Sequence, residues 1–176
     1  KRVDVPFIIK TSPTDEDAIK GTIQNLPVPE QAMFLARAKG EPVAKENPES
    51  LIIAADQICA FNDQVFSKPG STSNAIKQLQ QLQGATHIQY SGVAVFVGGK
   101  CIWSHVEEAT LTMRTLSEAE ITSYVAMDNP IGACGAYHYE EHGKHLFANV
   151  VGSDDVIFGL ALQPLLAFLY AEDYLS

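Results

Sequence analysis

Residues 52–70 read IIAADQICAFNDQVFSKPG, and the fold turns on how this stretch is read. Leu51 to Phe61 is an apolar run suited to a strand. Asn62-Asp63 is a turn, and Gln64 to Ser67 is a second leg, so the stretch predicts a β-hairpin. Its centre holds a carboxylate, Asp56, and an amide, Gln57. A carboxylate in an apolar strand is costly unless it is paired or bound to a metal. The period of two puts Asp56 and Gln57 on opposite faces unless the strand ends there. If it ends there, both point into a cleft at the sheet edge. The hairpin also carries Lys68, just before Pro69, back toward Asp56. An acid and an ammonium in one cleft suit phosphate chemistry. The acid holds a divalent cation or polarises water, and the ammonium neutralises phosphate oxygens.

Upstream, Pro6 to Lys10 (PFIIK) reads as a short strand and Ser12 to Asp17 as a polar loop. Glu30 to Lys39 carries apolar residues at helical spacing, with Pro27 and Pro29 at its start and Gly40 as its expected end. Downstream, Ser73 to Leu82 reads as a helix stopped by Gly84. His87 to Val97 and Lys100 to Met113 are long strands joined by a tight turn at Gly98-Gly99. Ser117 and Glu120 form a capping box opening a helix to about Met127, and Asn129-Pro130 breaks it. A Gly-rich stretch, IGACGAYHYEEHG, is followed by a strand at His145 to Val151 and a terminal helix from about Leu160 to Ala171. This order predicts a mixed α and β fold whose hairpins argue against a purely parallel sheet.

The bulk numbers exclude several classes. The chain has 176 residues, 46% apolar and 19% charged, which suits one domain over 1–176 with a substantial core. A formal net charge of −9 without a basic run argues against a nucleic acid polymer as partner. No apolar run is long enough for a membrane helix. Cys59, Cys101 and Cys134 are widely spaced, which suggests buried free thiols in a reducing cytoplasm rather than a disulfide framework. There is no GxxxxGK[ST] loop, no GxGxxG turn, no GxSxG elbow and no HExxH.

Three further groups are candidates for the cleft, each with an ordinary structural reading beside it. Glu16 lies in a loop, where a solvated acid is common. Lys39 sits at a helix end, where a cation favours the helix dipole. Glu140 follows GAYHY, and Glu141 beside it suits a charged edge strand. His138, His142 and His145 cluster in sequence and read as exposed residues rather than ligands.

The string AADQICAFNDQVFSKP, LARAK upstream, LSEAEI, GAYHYEEHG, Gly152 and GLAL (Gly159 to Leu162) together resemble the Maf family of nucleoside triphosphate pyrophosphatases. The resemblance runs in order over nearly the whole chain. It implies a fold similar to the inosine triphosphate pyrophosphatases: a curved mixed sheet with flanking helices and two lobes around a cleft. The implied reaction splits the bond between the α and β phosphates, giving a monophosphate and pyrophosphate, with Mg²⁺, Mn²⁺ or a similar divalent cation. By matching motif positions, Asp56 is the general base, Lys68 and Lys39 are the phosphate lysines, and Glu16 is the loop acid that holds the metal with Asp56. The resemblance also allows a homodimer and a cytoplasmic location.

Most of the family has Thr after the Asp and Gln in the later element, and these resemble enzymes for dTTP and UTP. Gln57 and Glu140 instead resemble the 7-methyl-GTP branch. A glutamate accepts the N–H donors of a methylated guanine and favours its positive charge. Tyr137 or Tyr139 could stack on such a base. A dTTP/UTP pyrophosphatase and a non-catalytic nucleotide-binding regulator of cell division remain alternatives. The family's opening strand and S-x-S-P-x-R phosphate loop find no match, so the chain is expected to lack them. The family's GLPL turn has Ala161 in place of Pro.

Overall fold

The computed structural model describes residues 5–62 and 64–175. Helices α1 (Glu16–Ile23) and α2 (Val28–Glu46) precede the hairpin of β1 (Ile52–Phe61) and β2 (Gln64–Phe66). Then follow α3 (Thr72–Leu82), β3 (Thr86–Val97), β4 (Lys100–Met113), α4 (Glu118–Asp128), β5 (Phe147–Val151), α5 (Asp154–Ile157) and α6 (Leu162–Ala171). The strands form one sheet in the order β2-β1-β3-β4-β5, and each of its four pairings is antiparallel.

The hairpin expected around Asn62 is present, with Asn62 at φ 51° and Cys59 paired to Phe66. The β3–β4 hairpin turns on Gly98 and Gly99, both left-handed at φ 59° and 74°. The capping box forms as its spacing predicts: the Ser117 side chain accepts from the Glu120 N–H, and Glu120 accepts from the Ser117 N–H.

Three boundaries differ from expectation. Pro6 to Lys10 is not a strand but irregular backbone, and Phe7, Ile8 and Ile9 are exposed at 62, 86 and 84%. No neighbouring strand pairs with them among the described residues. The strand expected from His145 begins at Phe147, because 142–146 forms a 3-10 turn first. Helix α2 does not stop at Gly40 but runs on through Pro42 to Glu46. Pro42 has no N–H to offer Ala38, and the Thr14 hydroxyl donates to that carbonyl instead at 2.9 Å. Gly40 is required by packing: a Cβ there would meet Phe96 Cε2 at 2.2 Å and Ala54 Cβ at 2.9 Å.

The sheet is covered on both faces. Ile58, Ala94 and Phe96 pack beneath α2 with Ala32, Leu35 and Ala36. On the other face Cys59, Leu111 and Met113 meet α3 and α4 through Leu79, Ile121 and Val125, and Val93 and Val95 meet α6 through Leu165. Gly92, paired to Asp56 in β3, lets α2 lie close. A Cβ at 92 would sit 2.4 Å from the Ala32 carbonyl oxygen.

Candidate active site

Strand β1 holds β2 only over its last three residues, Cys59 to Phe61. Among the described residues, its edge from Ile52 to Ile58 on that side has no paired strand. A cleft of about 770 Å³ opens against this edge. Glu16, Lys20, Lys39, Asp56 and Lys68 line one part of it, and Gln57, Tyr137, Tyr139, Glu140 and Gly159 another.

β1 does not end at Asp56, so strand alternation holds and the two neighbours diverge. Asp56 faces α2 and Gln57 faces α5. Both reach the cleft because it wraps around the open edge. The six residues expected to converge all line this one hollow.

Asp56 is 8% exposed, and the Lys39 ammonium donates to its Oδ1 at 2.5 Å. The same ammonium lies 2.9 Å from Glu16 Oε1, so one cation spans two carboxylates. Glu16 opens α1, whose cap is Asp15, so the expected loop acid is in fact the first residue of a helix. Burial pushes the Asp56 carboxyl up, and Lys39 offsets only part of that. Burial pulls the Lys39 ammonium down, but its two carboxylates outweigh this and raise it. Glu16 is half-buried, and Lys39 overcomes that burial to hold it below the usual carboxylate value. An acid whose proton affinity is raised within a cleft is suited to act as a base near neutral pH.

Lys68 is exposed and makes no ion pair among the described residues, but its charge reaches Glu16 and Cys134. Continuing the β1–β2 register would set it across from Gln57, beyond the last paired residue, Phe66. Gln57 Nε2 donates to the Val156 and Ile157 carbonyls at 3.1 and 2.6 Å. Both its donor hydrogens are thereby engaged, and Oε1 remains as an acceptor.

Sequence reasoning missed Lys20, one turn beyond Glu16 and 3.6 Å from it. The i,i+4 spacing was the available signal. It also missed Gln89, which lines the cleft and donates to the Tyr137 hydroxyl at 2.7 Å. That hydroxyl is also 2.8 Å from His87 Nε2. Tyr137 is therefore fixed in the core, packed edge-on against Phe147, and of the two tyrosines Tyr139 is the less deeply held.

Comparison with known proteins gives the class. The chain is 38% identical to a nucleoside triphosphate pyrophosphatase of Legionella pneumophila, over 94% of this chain and 82% of that one. It is 37% identical to a 7-methyl-GTP pyrophosphatase of Rhizobium johnstonii, over 86% of this chain and 78% of that one. With a 7-methyl-GTP pyrophosphatase of Brucella abortus it shares 35% identity, over 98% and 88%. It is a nucleoside triphosphate pyrophosphatase, a hydrolase acting on acid anhydrides. The profile of the Maf-like proteins matches residues 1–172, and the chain belongs to that family.

Proposed function

We propose that the cleft hydrolyses 7-methyl-GTP to 7-methyl-GMP and pyrophosphate, with Asp56 as the base. Water forms the new bond to the α phosphorus, its proton passes to Asp56, and the bond from that phosphorus to the bridging oxygen breaks. Pyrophosphate leaves with the bond's electrons. Lys68 and Lys39 neutralise charge on the phosphate oxygens as it develops. Lys39 also holds Asp56 and Glu16 in place, since it touches both carboxylates.

Asp56 and Glu16 fit a hard divalent cation such as Mg²⁺ or Mn²⁺: both are carboxylates, and one ammonium reaches the two together. When bound, such a cation supplies charge neutralisation and alignment of the triphosphate. The substrate class also supports a cytoplasmic setting and a nucleotide, rather than a nucleic acid polymer, as partner.

The observation that carries the choice of base is the state of Gln57. With its donors held by Val156 and Ile157, it offers the cleft an acceptor only. Glu140 is exposed in the same cleft and is acceptor-only when ionised. Two acceptors match the N–H donors of a guanine, and the carboxylate favours the cationic methylated ring. The names of the Rhizobium and Brucella relatives agree with this reading. Pyrophosphate release across a panel of 7-methyl-GTP, GTP, dTTP and UTP tests it. The expected result is highest kcat/KM for 7-methyl-GTP, falling about tenfold or more in Glu140→Gln. A preference for dTTP or UTP in the unaltered chain would overturn the base assignment.

A further inference from the structure

The end of α4 and the loop after Tyr137 carry chemistry that the pyrophosphatase reaction does not use. Asp128 is the last residue of α4, and its side chain is 1% exposed. His142 Nδ1 lies 2.6 Å from Asp128 Oδ1; Oδ2 is buried without a well-aligned hydrogen bond, the Tyr124 hydroxyl being the polar group beside the carboxylate. His138 Nδ1 is likewise buried and unpartnered. Ligand atoms of Asp128, His138 and Glu141 lie within 4.8 Å of one another. A buried carboxylate oxygen without a partner is costly. A carboxylate at a helix C-terminus is further disfavoured by the helix dipole, and α4 has no basic residue in its last turn.

We infer that Asp128, His138 and Glu141 form a second cation site, distinct from the Asp56–Glu16 pair and suited to a borderline transition metal such as Zn²⁺. One ion would take up lone pairs of the buried Asp128 carboxylate and the His138 imidazole and offset the charge at the helix end. One imidazole with two carboxylates suits Zn²⁺ better than Mg²⁺, which favours an all-oxygen shell. Zn²⁺ sets its ligands at about 2.0–2.2 Å in a tetrahedral shell, so ligand atoms now up to 4.8 Å apart would draw together by about 1 Å or more on binding.

The backbone is already shaped for this. The His138 N–H donates to the Tyr124 hydroxyl at 2.9 Å, and the His138 carbonyl accepts from the N–H groups of Glu141 and Gly143 at 3.2 and 3.0 Å. The Tyr124 hydroxyl thus stands beside both His138 and Asp128. Gly143 permits the turn, since a Cβ there would sit 2.4 Å from the His138 oxygen. His142, holding Oδ1, orients the Asp128 carboxylate as an outer partner. Sequence reasoning took His138 as exposed because neither Asp128 nor the Tyr124 anchor is near it in sequence. The ion would tie α4 to the segment carrying Tyr139 and Glu140, which line the cleft.

The test is Zn²⁺ titration of the full chain against a chromophoric chelator, with excess Mg²⁺ present to occupy hard oxygen sites. The expected result is one tight equivalent, weakened at least about tenfold in His138→Ala and Glu141→Gln, and about 10–100-fold in His142→Ala. Asp56→Asn should leave this affinity unchanged, which separates the inference from the reading of the catalytic cleft. Glu141 is exposed, so Glu141→Gln keeps the fold; Zn²⁺ should raise the Tm of the unaltered chain but not of this variant. Co²⁺ should show the visible bands of a four-coordinate site. No retained Zn²⁺, or an affinity in Glu141→Gln and His138→Ala equal to that of the unaltered chain, would overturn the inference and leave Asp128–His142 as a hydrogen-bonded pair only.

Discussion

Replacing Lys39 by Met keeps most of the side chain's bulk and removes the charge shared by Asp56 and Glu16. Lys39 Nζ lies 2.5 Å from Asp56 and 2.9 Å from Glu16, and Asp56 is 8% exposed. Breaking a buried pair by removing one partner typically costs about 3–5 kcal/mol. Lys39 keeps 23% of its side-chain surface in water, so we expect a loss of about 2–3 kcal/mol at pH 7. Two carboxylates then repel without a cation between them. The pH dependence fixes the cause. Asp56 is already raised by burial and loses its main lowering partner in the variant. A carboxyl raised in the folded state binds more protons there than in the unfolded chain, so stability increases as pH falls through that window. Glu16 works in the opposite sense while Lys39 is present: it is lowered, and its contribution is lost as pH falls. The deficit of Lys39→Met should therefore shrink as pH falls from 7 toward the ordinary carboxylate range, by up to about 1.4 kcal/mol per proton per pH unit. Urea unfolding followed by the single tryptophan, Trp103, which stacks on Phe168, reads this directly. Lys39→Met combined with Asp56→Asn should recover much of the loss, because the unpaired buried charge is gone. A deficit below about 0.5 kcal/mol, or one independent of pH, would show a pair screened by solvent and refute the argument.

Lys68→Ala should lower kcat/KM about 100-fold while leaving the urea midpoint within error, because Lys68 is exposed; steady-state pyrophosphate release with a parallel unfolding curve checks both halves. His87 is 1% exposed, and burial lowers its pKa to about 4. The unfolded chain binds this proton first as pH drops from about 6.5, so His87 should cost about 3 kcal/mol of stability by pH 4. Stability curves of His87→Gln should be flatter over that interval, and an unchanged slope would refute the assignment. Gly92→Ala should destabilise by about 1–3 kcal/mol, since the new Cβ meets the α2 backbone at Ala32 and Met33. Thermal unfolding measures that cost, and a neutral result would mean that α2 lies farther from β3.

Local patterns carried much of the fold. The β1–β2 hairpin, the Gly98-Gly99 turn and the Ser117 capping box each depend on a few adjacent residues, whose backbone preferences act at short range. The extent of α2 was not legible in the same way. Gly40 and Pro42 look like a helix end, and only Thr14, Ala54 and Phe96, distant in sequence, supply the hydrogen bond and the packing that carry the helix past them. PFIIK has strand composition, but a strand exists only where a neighbour offers its backbone groups.

The sequence by itself determined which charged and amide groups stand on which elements: Asp56 and Gln57 on one strand, Lys39 on a helix, Lys68 just beyond a hairpin. Only the tertiary structure decided that Lys39 bridges Asp56 to Glu16, that Lys20 joins them, and that Gln57 spends its donors on α5. It also decided that ligand atoms of Asp128 and His138 lie within 4.8 Å of each other. The physical reason is range. Backbone conformation follows from neighbouring residues, whereas a side chain's partner and its exposure to water are set by what long-range packing brings beside it.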